Sequence, residues 1–178
     1  MKQLVLIAIS FIVINNGCRK QQENKLPDAT QYGVNTFGCL IGGEAWIPTG
    51  HAAGSGINAT SGGFFGTPDG KRNIFIKAYS LHEYMDIYLK NIYQVGTYYL
   101  NKTTDVHPNI VYPENYGAYF VDGQEHYVTD PTHSGTVIIS YADTVKGIVS
   151  GTFEMQLSQQ STGKVINITK GRFDYKTH

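Results

Sequence analysis

The sequence predicts an all-β domain, an antiparallel β-sandwich or a partly closed β-barrel of about eight to ten strands. Three observations carry this expectation. Apolar residues recur at every second position through NIFIKAY (73–79) and MDIYLKNIY (85–93), the period at which side chains alternate between the two faces of a strand. Pairs such as Gly-Gly and Asp-Gly separate the alternating runs, and they supply the backbone angles that tight hairpins need. The composition agrees: 13 Tyr, 20 Gly and 16% charged residues suit pleated, half-buried surfaces joined by turns. No segment shows a sustained 3.6-residue period with caps at both ends, so helices are not expected in the folded part.

The chain opens with Lys2, an apolar run from Leu4 to Ile14 interrupted only by Ser10, and a small Gly17 followed by Cys18. Eleven helical residues reach only about half of a roughly 30 Å hydrocarbon core. The run is therefore too short to span, and its order of charge, apolar core and small residue is that of a secretory signal peptide. The arrangement resembles the lipobox of bacterial lipoproteins, in which the Cys is acylated and becomes the new N-terminus. Asn15 and Asn16 stand where an aliphatic and a small residue are commoner. The resemblance implies a signal peptide over 1–17 and a lipid anchor on Cys18, which makes the membrane a partner. One acyl chain holds only marginally, whereas the two or three on a lipoprotein Cys make a lasting anchor. The polar stretch RKQQENKLPDATQYGVN, with Pro27 and no apolar period, reads as a flexible tether to residue 35. A single β domain follows over 36–178. Arg19 and Lys20 follow Cys18, which does not resemble the acidic signal that sends many Bacteroidetes lipoproteins to the cell surface, and the lipoprotein resemblance then implies the outer membrane with the domain facing the periplasm.

Charge and cysteine content exclude several classes. Lys plus Arg and Asp plus Glu are equal at 14 each, so no basic field exists to hold nucleic acid. With Cys18 acylated, Cys39 has no partner for a disulfide and no companions for a multi-Cys zinc site. Its alternating apolar context predicts burial.

The elements follow in order. In TFGCLIGGEAWIP, Gly42 and Gly43 form a two-residue turn between Phe37–Ile41 and Glu44–Pro48. That register sets Cys39 opposite Trp46, which anchors the hairpin to the core. The Gly-dense stretch 50–71 reads as loops around a short strand near Ile57–Thr60, closed by a Pro68-Asp69-Gly70 turn. It contains neither GxGxxG nor a loop ending in GK[ST], since Arg72 follows Gly70-Lys71, so no nucleotide cofactor is expected. The strand 85–93 puts Met85, Ile87 and Leu89 on one face and Asp86, Tyr88 and Lys90 on the other. GTYYL (96–100) adds a strand. YGAYFV (116–121) meets Asp122-Gly123 and returns through QEHYV, which places Tyr119 opposite His126. TVIISY (136–141) and GIVSGTFEMQL (147–157) flank the turn ADTVK, and KVINITKGRFDYK (164–176) closes the chain. GTFEM at 151–155 and GRFDY at 171–175 echo each other as two neighbouring strands with one in-and-out pattern.

TFGCLIGGEAW after a lipobox, then GTYYL, GIVSGTFEMQL and VINITKGRFDYK, together resemble small domain-of-unknown-function lipoproteins of Bacteroidetes. The resemblance covers most of the mature chain. It implies an exported all-β domain and brings no catalytic residues with it. Asp143-Thr144-Val145 also resembles the short acceptor for O-linked glycans on exported proteins of that group.

The stretch 107–133 gathers His107, Glu114, Glu125, His126, Asp130 and His133 among several Tyr. No HExxH or comparable spacing is present, so no metal is expected. Asp122 and Glu125 straddle a tight turn rather than a cleft, no GxSxG elbow occurs, and no catalytic residue is assigned. Tyr98, Tyr99, Tyr112, Tyr116 and Tyr119 offer rings on which a ligand would stack, although in strands half of them point inward. The candidate ligand-binding set is Tyr112, Tyr116, Tyr119, Glu125 and His126. The expected function is a non-catalytic lipoprotein domain of the cell envelope that binds a glycan or a protein. The alternative is a small envelope hydrolase, which requires Glu114, Glu125 or His126 to converge in one cleft.

Overall fold

The computed structural model describes residues 23, 25–50, 60–66, 70–103, 114–122 and 126–177. The leader and Cys18 lie outside them, as do His107, Tyr112 and Glu125. Among the described residues there are eleven strands: β1 (Thr36–Ile41), β2 (Glu44–Trp46), β3 (Thr60–Gly66), β4 (Arg72–Ser80), β5 (Glu83–Leu89), β6 (Gly96–Leu100), β7 (Tyr116–Val121), β8 (Tyr127–Val128), β9 (Gly135–Asp143), β10 (Ile148–Gln159) and β11 (Val165–Lys176). All pairings are antiparallel, in the order β2-β1-β11-β10-β8-β7-β5-β4-β3. The sheet curls into a half-barrel, which is the partly closed form of the predicted architecture.

The long strand β10 is where the sheet branches. Its first eight residues pair with β9, and β9 pairs in turn with β6. Its last two, Ser158 and Gln159, pair with β8. The two arms diverge from one edge of β10 and the core fills the space they enclose. Ile74, Ile76, Met85, Ile87, Leu89, Val137, Phe153, Leu157, Ile168 and Phe173 all point into it. Each such fully buried side chain contributes on the order of 2 kcal/mol. The curl is held where β3 meets the end of β11, as the Phe64 N–H donates to Thr177 Oγ1 at 3.1 Å.

The first hairpin has the predicted register, with Cys39 opposite Trp46 and both turn glycines at positive φ, 60° and 97°. Trp46 packs against Phe37 and Tyr119 and donates its indole N–H to Glu83 Oε2 at 2.5 Å. Cys39 is fully buried, and burial pushes its thiol pKa far above the ordinary range. The turn after β9 is also as predicted: Asp143 Oδ1 accepts from the N–H groups of Val145 and Lys146, and Val145 is exposed.

Three details differ from the sequence reading. TSGGFFG, read as loop, is strand β3, because its glycines let it pass close to the backbone of β4 and the ring of Tyr175. In the β7–β8 pair Tyr119 opposes Tyr127 rather than His126. That one-residue shift moves His126 to the other face of the sheet, against Phe120. Finally, residues 26–35, read as tether, are packed on the sheet as a strap. Leu26 is buried, and Pro27 lies over Gly38, where a Cβ would stand 2.7 Å from Pro27 Cδ.

A second apolar layer covers the outer face of the other arm. Tyr88, Tyr116, Ala118, Phe120 and Val128 form it, with Phe65, Phe75 and Tyr84 at its margin. Strands β5 and β7 are consequently buried on both faces. Asp86, placed by its register between Lys77 and Ala118, is buried with them.

Candidate functional site

The strap is fixed by one carboxylate. Asp174 on β11 is buried and accepts hydrogen bonds from Thr30 Oγ1 (2.6 Å), from the N–H groups of Tyr32 (3.0 Å), Gly33 (2.8 Å) and Val34 (3.3 Å), and from Ser150 Oγ (2.6 Å). Desolvation works to raise its pKa, but the donors from Ser150, Thr30, Gly33 and Tyr32 outweigh it and hold the carboxyl below the ordinary range. Gln31 reaches on to Ser140 of β9. The strap thereby crosses the outer face of β11 and forms a wall.

Beside that wall lies an open groove of about 530 Å³. Outward residues of three neighbouring strands line it: Thr136 and Ile138 on β9, Thr152 and Glu154 on β10, Lys170 and Arg172 on β11. The register sets Thr152 between Ile138 and Arg172, and Glu154 opposite Thr136. Tyr99 of β6 is the next residue in the second row, opposite Thr136, and it is 66% exposed. A β-bulge in β11 makes the cationic side possible. The register slips by one residue between Ile168 and Gly171 against β10 and between Thr169 and Arg172 against β1, and Lys170 takes the left-handed conformation at φ 55°. Inward positions change parity there, from Ile166 and Ile168 to Phe173 and Tyr175, while Lys170 and Arg172 stay outside.

The cations are positioned by their neighbours. Arg172 donates Nη1–H to Pro27 O at 3.2 Å and Nε–H to Lys170 O at 3.4 Å. Its Nη2 and the Lys170 Nζ each stand 3.8 Å from the same oxygen of Glu23, Oε1. Glu154 Oε1 accepts a long hydrogen bond, 3.4 Å, from the Lys170 N–H. The groove thus presents a two-cation side, a carboxylate, two hydroxyls, an apolar Ile138 and an aromatic margin.

The residues singled out from sequence fall elsewhere. Tyr116 and Tyr119 sit three apart on β7 and face opposite sides; both rings are buried, Tyr116 in the outer layer and Tyr119 beside Trp46. Burial and then the hydrogen bond to Glu83 push the Tyr119 phenol far up. His126 lies in edge contact with Phe120, ring centroids 4.1 Å apart. Glu114 precedes β7 and is exposed, so about 20 Å of strand separates it from the Phe120–His126 contact. The structure does not bring Glu114 and His126 together.

Among the described residues there are two His-Asp pairs. His82 and Asp122 meet at 3.1 Å on the surface, both about two-thirds exposed. Asp130 meets His133 Nδ1 at 2.9 Å and also accepts from Ser158 Oγ at 2.7 Å. Here the Ser hydroxyl donates to the carboxylate rather than to the imidazole, so the geometry is not that of an activated nucleophile. Asp130 also accepts from the N–H groups of Thr132 and His133. Those bonds overcome desolvation and lower its pKa strongly, and the cluster ties the β8–β9 loop to β10. Among the described residues no three His, Cys, Asp or Glu side chains group as metal ligands.

Residues 61–175 match the family described as a domain of unknown function (DUF6252). The chain belongs to that family. The matched range contains all the sheet residues of the groove, from Tyr99 to Arg172, whereas the strap and the first hairpin precede it. No curated protein and no solved structure matches this member of the DUF6252 family.

Proposed function

We propose that this DUF6252 protein is a lipoprotein of the cell envelope, anchored through acylated Cys18 at the outer membrane with its domain in the periplasm, and that the domain binds a glycan without catalysing a reaction on it. The observation that carries the binding half is the groove of the strap, β9, β10 and β11. It is open, roomy and lined by a few convergent polar groups on a rigid sheet, beside an exposed Tyr99 ring. A sugar ring lays its apolar face on an aromatic or aliphatic floor and its hydroxyls on fixed donors and acceptors, and this lining supplies both. The anchoring half rests on the order of charge, apolar run, Gly17 and Cys18.

Two measurements test the two halves separately. Mass spectrometry of the native N-terminus is expected to find a mature chain that begins at acylated Cys18, and any other first residue overturns the anchor. A glycan array probed with the full chain in detergent is expected to retain it on a defined set of saccharides. No retention on any of them overturns the binding reading.

A further inference from the structure

The groove's two cations share one point in space. The Lys170 ammonium and the Arg172 guanidinium both face Glu23 Oε1 at 3.8 Å. At that separation the oxygen settles into a close hydrogen bond with neither. Glu23 is partly exposed, at 39% for its side chain, and it belongs to the chain leading into the strap rather than to the sheet. Arg172, by contrast, is held on two other sides by Pro27 O and Lys170 O. Arg172 is therefore fixed in place by groups other than Glu23, Lys170 extends beside it from the same bulge, and the carboxylate between them is the replaceable part.

From this point a row of side chains runs across four strands: Lys170, Glu154, Thr136 and Tyr99. Three inter-strand steps of about 4.8 Å give a row of about 14 Å, the length of two to three sugar rings. The strands that form the floor, β10 and β11, are paired on both edges. They offer no free ladder for an added peptide strand, so recognition on this floor is by side chains; among the described residues the strand of the row paired on one edge only is β6. Ala29, Ile138 and part of Phe153 supply the apolar surface of the groove, and Lys170, Arg172 and Glu154 its charge.

We infer that the groove takes a short saccharide bearing a carboxylate, which lies between Lys170 and Arg172 in the place that Glu23 holds, while the rest of the saccharide runs over Glu154 and Thr136 to the Tyr99 ring. The inference rests on the glycan-binding reading and adds the acid group and the internal competitor. Arginine's planar fork suits a carboxylate better than a single hydroxyl does.

The test is calorimetric titration of the full chain in detergent with a trisaccharide that ends in one galacturonate and with its methyl ester, which removes the charge and adds one methyl group. The acid is expected to bind about tenfold tighter than the ester, a preference that fades with salt. Replacing Glu23→Gln removes the competitor and is expected to tighten the acid about two- to fivefold, the range of a partly exposed ion pair, and to leave the ester unchanged. Lys170→Gln weakens only the acid; it is the preferred cation variant because Arg172→Gln also releases Pro27. Equal binding of acid and ester, or weaker acid binding by Glu23→Gln, overturns the inference. Failure of both probes while the array still retains a neutral glycan overturns it too and leaves the binding reading standing. Failure on every glycan removes both.

Discussion

Replacing Asp86→Asn is expected to stabilise this protein at neutral pH and to do nothing at pH 4. Asp86 lies on the buried outer face of β5, its side chain 8% exposed, with Lys77 Nζ 3.6 Å from Oδ2 and, among the described residues, no hydrogen-bond partner for Oδ1. Burial pushes its pKa from 3.8 up to about 6, against the pull of Lys77. The folded state therefore binds a proton more tightly than the unfolded chain does. The contribution of Asp86 to stability is most favourable below pH 4, falls as pH rises from about 4 to 6, and levels off above. Two units at about 1.4 kcal/mol each make the penalty about 3 kcal/mol at pH 7.5. Asn keeps the shape without the charge, so the variant escapes most of that loss. For a domain of this size the gain corresponds to a melting temperature higher by about 6–12 °C. Lys77, which also sits 4.8 Å from the Phe75 ring centroid, stays within reach of solvent in the variant. Urea unfolding followed by Trp46 fluorescence at pH 4, 5, 6 and 7.5 gives the comparison, and the other carboxylates cancel between the two proteins. A variant less stable than the parent at pH 7.5, or a difference that does not change with pH, refutes the reasoning.

Three further outcomes follow from the packing. Asp174→Ala strands five donors, among them the buried Ser150 hydroxyl, and is expected to cost about 3–5 kcal/mol; limited proteolysis should then cut within residues 25–35, and an uncut strap refutes its anchoring role. A Cβ on Gly151 would run into the carbonyl oxygen of Ile138, whereas one on Gly171 meets the Phe153 ring at 2.5 Å. Gly151→Ala should therefore destabilise more than Gly171→Ala, by urea midpoint, because a ring yields more readily than a strand backbone. Cys39, buried and with its thiol pKa raised, should resist a maleimide until the domain unfolds; rapid labelling of the native chain contradicts that placement.

Most of the fold was legible because strand alternation and turn residues are local signals. The first hairpin needs only Gly42 and Gly43, and the 151–155 and 171–175 echo is two paired strands in which each Gly receives the other strand's Phe. The groove was not legible for three physical reasons. Its cationic side depends on the bulge at Lys170, although the change from even apolar positions (Ile166, Ile168) to odd ones (Phe173, Tyr175) is a signal of one inserted residue. Its wall is a polar strap, and composition alone cannot distinguish a tether from a segment whose N–H groups are collected by one distant carboxylate, Asp174. The aromatic candidates pointed elsewhere because β7 is buried on both faces, so alternation there leaves neither Tyr116 nor Tyr119 in solvent. Tyr99, on the singly buried β6, is the exposed ring that the same reasoning had in view.

The most direct test of the account fills the groove. Thr152 points outward between Ile138 and Arg172, so Thr152→Trp places an indole on the floor without touching the core. The full-length variant is expected to melt within a few degrees of the parent and to lose glycan retention on the array. Retention equal to that of the parent, in a variant shown to be folded, contradicts the claim that this face is where the protein binds.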